Sequence, residues 1–89
     1  MSKHLGVDGF PRTKAIDEKI SKDILSLFNT PNGSAVLGYL RSVTTDIVSG
    51  GNISDGELRH LEGQRYVIAL IVKRMNHAQN IQKKGAKDE

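Results

Sequence analysis

Cysteine is absent from this chain of 89 residues, so no disulfide framework and no thiolate metal site can hold it together. That suits a reducing cytoplasm, or a particle assembled in one. Long apolar runs are missing too. The longest is six residues, or seven counting Tyr66, far short of the ~20 that a bilayer-spanning helix needs, so no membrane partner is expected. Residues 1–11 lack the hydrophobic core of a secretory signal. Catalytic patterns fail in the same way. His4, His60 and His77 show no metal-site spacing. No serine or threonine sits in a nucleophile elbow. The Gly50-Gly51 loop before a helix start lacks both the spacing and the lysine of a phosphate-binding loop. The expectation is a protein that is not an enzyme and carries no cofactor.

What is present points to one small helical domain. A chain this short buries only about 60% of the surface its unfolded form exposes, so a lone copy has little stability to spare. Thirteen basic residues against ten acidic give a net charge of +3, unevenly spread. Residues 1–14 hold three basic and one acidic, and residues 73–89 five basic and two acidic; the stretch between them is slightly acidic. The basic ends favour electrostatic contact, by a small margin.

The densest apolar stretch, Val67 to Val72, lies in a longer segment that opens with a capping box, Ser54 and Glu57. Asp55 adds negative charge where a helix dipole is positive. Leu58, Leu61, Arg65, Ile68, Val72 and Met75 then recur at three- and four-residue steps, which makes the segment a helix rather than a strand. It is predicted over 55–78, roughly 36 Å long, with at most one more turn before Gly85 stops it. Thr13 caps a first helix over 14–28, with Ile16, Ile20, Ile24 and Leu27 facing inward. Thr30 and Pro31 restart the chain as a second helix with the stripe Val36, Leu37, Leu40, Val43 and Ile47. That helix weakens at Val43-Thr44-Thr45, and Ser49 to Asn52 is a loop. Gly38 is expected to admit a crossing helix. The architecture is all-α: three helices, the last one long, with flexible basic ends. Residues 1–12 are read as an arm, 13–84 as the domain and 85–89 as a tail.

Three sets of residues stand out for function. Residues 67–72 point around nearly the whole helix, more than two short neighbours can cover, so Val67, Leu70, Ile71 and Met75 are the expected interaction surface. Arg65 interrupts the stripe, and an ion pair with Glu62 is favoured over Asp46 or Glu57 as its partner. Lys73, Arg74, Lys83, Lys84 and Lys87 form the one basic cluster able to contact phosphate, although no base-stacking aromatics lie beside it.

The pattern Phe28-x-Thr30-x-x-Gly33-x-x-Val36-Leu37-x-x-Leu40, followed by Glu62-Gly63-x-Arg65 and Ile71, resembles a small domain family of tailed phages. That family is named after an open reading frame of a Bordetella phage and occurs in short-tailed phages among the virion genes. The resemblance covers about 28 to 75. It implies a phage-encoded helical protein without catalytic residues, associated with the virion or its assembly and located in the host cytoplasm or the particle. Two functions follow: association with itself or another phage or virion protein, and, as the alternative, nucleic-acid binding by the basic ends as a regulator or packaging factor. Gly63 is expected to mark a helix crossing.

Overall fold

The computed structural model describes residues 4–46 and 54–87. Three helices follow in order: α1 (Lys14–Phe28), α2 (Pro31–Ser42) and α3 (Asp55–Lys87). Each begins where a side-chain oxygen replaces a missing backbone acceptor. Thr13 Oγ1 accepts from the Ile16 N–H at 3.2 Å and Ser54 Oγ from the Glu57 N–H at 3.1 Å. Thr30 does more. Its Oγ1 accepts from the Gly33 N–H at 2.9 Å, and its hydroxyl donates to the Leu27 carbonyl at 3.0 Å. One side chain thus closes the last turn of α1 and opens the first turn of α2.

Gly33 is required at this corner. A Cβ there would lie 2.8 Å from Phe28 Cα and against the Leu27 carbonyl oxygen. Gly38 and Gly63 differ: a Cβ at either would meet nothing within 4 Å, so neither marks a crossing among the described residues, contrary to expectation. α2 ends at Ser42 as the β-branched residues arrive, and the Thr44 hydroxyl donates to the Leu40 carbonyl at 2.6 Å. Ile47 and the loop at 49–52 lie outside the described residues. α3 is longer than predicted. It runs 33 residues, through Gly85 to Lys87, or roughly 50 Å. One glycine costs a helix only about 1 kcal/mol, and Lys83 and Lys84 near the C-terminus favour its continuation.

α1 packs antiparallel along the C-terminal half of α3, while α2 turns away and meets α3 only around Ile68. The resulting body is flat, 53 × 38 × 18 Å. Its apolar core is small: Leu25, Leu37, Ile68 and Ala78. The buried residues of α1 are Asp17, Ser21 and Leu25. Ile20 and Ile24 are half-buried, but Ile16 and Leu27 are exposed, so α1 is turned from its predicted orientation to bring Asp17 inward. Residues 4–12 also depart from the expected arm. They fold back as a loop joined by an isolated bridge between Leu5 and Pro11, with Gly9 at φ 83° making the turn. The Gly6 N–H donates to the Phe10 carbonyl and the Arg12 N–H to the His4 carbonyl, both at 2.9 Å.

Candidate interaction surface

What turns α1 and orders the loop is Arg74. Its side chain is 3% exposed. Nη1 donates to Asp17 Oδ1 at 2.5 Å, to the Asp17 carbonyl at 2.9 Å and to Ser21 Oγ at 3.0 Å. Nη2 lies 3.2 Å from Asp8 Oδ2, close enough for an ion pair though not aligned for a hydrogen bond. Arg12 holds the same Asp8 oxygen at 2.7 Å, and the Val7 N–H donates to Asp17 at 3.3 Å. Loop, α1 and α3 therefore meet on one buried cation. Burial pushes the Asp17 carboxyl up, but the Arg74 hydrogen bond and charge outweigh it and hold Asp17 below the usual carboxylate range. Asp8 is also held well below that range, chiefly by its hydrogen bond from Arg12. Ser21 Oγ also lies 2.7 Å from His77 Nδ1, which places His77 at the edge of this network.

Arg74 is therefore lost to the basic cluster. Its guanidinium is enclosed by carboxylates, and extracting it to meet phosphate would leave the buried Asp17 with only the half-exposed His4 ring, 3.7 Å away, beside it. Lys73, Lys83 and Lys84 are exposed, and the Lys87 side chain lies outside the described residues. Sequence reasoning missed the Arg74–Asp17 pair. The signal was there: Asp17, Ser21 and Leu25 recur every four residues, and Arg74 falls on the α3 face that holds Ile71 and Ala78. Arg65 is half-buried, and its Nε donates to the Thr44 carbonyl at 3.2 Å, which ties α3 to the turn after α2; Glu62 is exposed.

Because α1 covers one half of α3 and α2 splays away from the other, the apolar middle of α3 is poorly enclosed. Of residues 67–72 only Ile68 is buried. Val67 is 55% exposed and Tyr66 beside it 57%, while Leu70, Ile71, Val72 and, beyond the run, Met75 are half-covered. On one side an open groove of about 560 Å³ runs between Leu40 of α2, with Val43 just after it, and Val67 and Ile71 of α3. On the other a cleft of about 540 Å³ separates Leu5 and Val7 of the loop from Tyr66, Ala69 and Leu70. The outward face of α2 extends this surface, with Val36 and Tyr39 exposed, and so does Val43 at its end. Arg41 is the one charged residue between Asn29 and Thr45.

The stretch that makes this surface also carries the relationship to known proteins. Residues 24–84 match the family of Bbp19-like phage proteins, a span that takes in the last turn of α1, all of α2 and α3 through Lys84. The chain belongs to that family. No curated protein and no solved structure matches it. The Bbp19-like region holds the Thr30–Gly33 corner, Arg65 and the whole apolar middle of α3, whereas the loop at 4–12 and Asp17 lie before it. No helix among the described residues is long and apolar enough to cross a membrane.

Proposed function

We propose that this Bbp19-like protein is a non-enzymatic accessory of phage particle assembly, working by helix-mediated association with a second copy or another virion protein. The observation that carries the reading is the exposure of Tyr66 and Val67 at the start of the most apolar stretch of the chain. A domain of this size has little core to draw on, and covering that surface adds roughly 25 cal/mol for each Å² removed from water. The site of action is the host cytoplasm or the particle.

Light scattering on the purified chain, together with co-sedimentation with phage particles, tests the reading. A Tyr66→Ala/Val67→Glu chain changes two exposed positions, so it keeps the fold and loses association. Unchanged association in that variant contradicts the reading. The nucleic-acid alternative draws support from a different feature: residues 63–87 contain no acidic side chain, and Lys83 and Lys84 are exposed near the end of α3. Loss of Arg74 to the interior weakens it. DNA binding that falls steeply with salt and disappears in a Lys83→Ala/Lys84→Ala chain would favour that alternative.

A further inference from the structure

The side of α3 that borders the 4–12 loop carries four exposed residues, Glu62, Tyr66, Ala69 and Lys73, at steps of four, three and four. That spacing sets them in one line along the helix. The line has a particular symmetry. Read from its centre it is large on one side and small on the other, acidic at one end and basic at the equivalent distance at the other. An antiparallel copy of the same line therefore puts Tyr66 opposite Ala69 and Glu62 opposite Lys73, twice over. This is the self-complementarity that a twofold interface requires.

We propose that this face of α3 pairs antiparallel with the same face of a second copy, each Tyr66 ring packing on the other's Ala69 and Leu70 and each Glu62 pairing with the other's Lys73. The pairing rests on the association reading above and gives it a partner and a register. Neighbouring positions agree with the register. Asp55 falls opposite Asn80 and Arg59 opposite Asn76, so no like charges face each other across the seam. The cleft between Leu5 and Leu70 opens beside Ala69 and provides apolar walls for the incoming ring, and Leu5, itself exposed, is then covered. A partner of another kind would have to supply an acid and a base at these same distances from an apolar centre, which a second copy does by symmetry.

Sedimentation velocity at low salt, on the full chain, tests the pairing by charge exchange. Glu62→Lys alone and Lys73→Glu alone each set like charges opposite one another, and each lowers the self-association constant by about tenfold. An equimolar mixture of the two variants restores complementary pairs, so it associates as a mixed dimer at close to wild-type strength. Tyr66→Ala weakens association by at least about tenfold. All three side chains are exposed, and circular dichroism of each variant at low concentration matches wild type. A mixture that associates no better than its components overturns the pairing, as does wild-type association in the Tyr66→Ala chain. If the Tyr66→Ala/Val67→Glu chain loses association while Tyr66→Ala alone does not, the pairing falls and the broader reading stands. A wild-type chain that stays single yet joins phage particles also overturns the pairing alone, and one that does neither overturns both.

Discussion

Arg74 is the residue on which the fold turns. Three acceptors from α1 and a carboxylate from the loop surround a side chain that is all but sealed from water. Removing either charge of the central pair strands the other, at a cost of about 3–5 kcal/mol, a large part of the stability of any small domain. Arg74→Met and Asp17→Leu are each expected to destabilise the chain by that order in urea titration. The double variant, which leaves no buried charge, should lose clearly less than the two losses added. The same pair fixes the response to acid. Asp17 ionises more readily folded than unfolded, where its value is near 3.8. Its contribution is therefore complete above that pH and is lost as pH falls below it through the lower folded value. Urea midpoints measured from pH 7 down to pH 2 should hold level, then drop below about pH 4. In Asp17→Asn the drop should be shallower.

At the scale of the elements, two glycines with opposite surroundings give a sharp contrast. Gly33→Ala forces a methyl group into the backbone of the α1–α2 corner and is expected to cost about 1–3 kcal/mol. Gly38→Ala meets open space and should stabilise α2 by about 0.5–1 kcal/mol, because alanine restricts the unfolded chain more than glycine does. Thermal denaturation of the two variants distinguishes the outcomes by sign. The helices themselves are legible in the sequence because their start signals are local: Thr13, Thr30 with Pro31, and Ser54 act through atoms three residues away. The end of α3 is not legible, since a single glycine at a helix terminus is weaker than the turns around it. The facing of α1 escapes for a different reason. Periodicity ranks residues by apolarity, and it assigns Ile16 inward and Asp17 outward. A carboxylate 57 residues from its arginine reverses that order, and nothing local announces it. Gly63 misleads on similar grounds, because a bare glycine fits both a crossing and an open surface.

For the whole molecule, the consequence of this packing is an exposed seam. One short helix lies along half of α3 and the other diverges, so the chain leaves the middle of its most apolar segment partly in water. The sequence indicates that excess by counting: six apolar residues in a row cannot all face two neighbours. Which of them stay exposed, Val67 and Ala69 rather than Ile68, requires the three-dimensional arrangement. A fold stabilised by covering this seam has a stability that depends on how much chain is present. The thermal unfolding midpoint, followed by circular dichroism across a hundredfold range of concentration, measures that dependence directly. In the wild-type chain the midpoint is expected to climb with concentration. A midpoint that does not move over the whole range would contradict a seam covered by association.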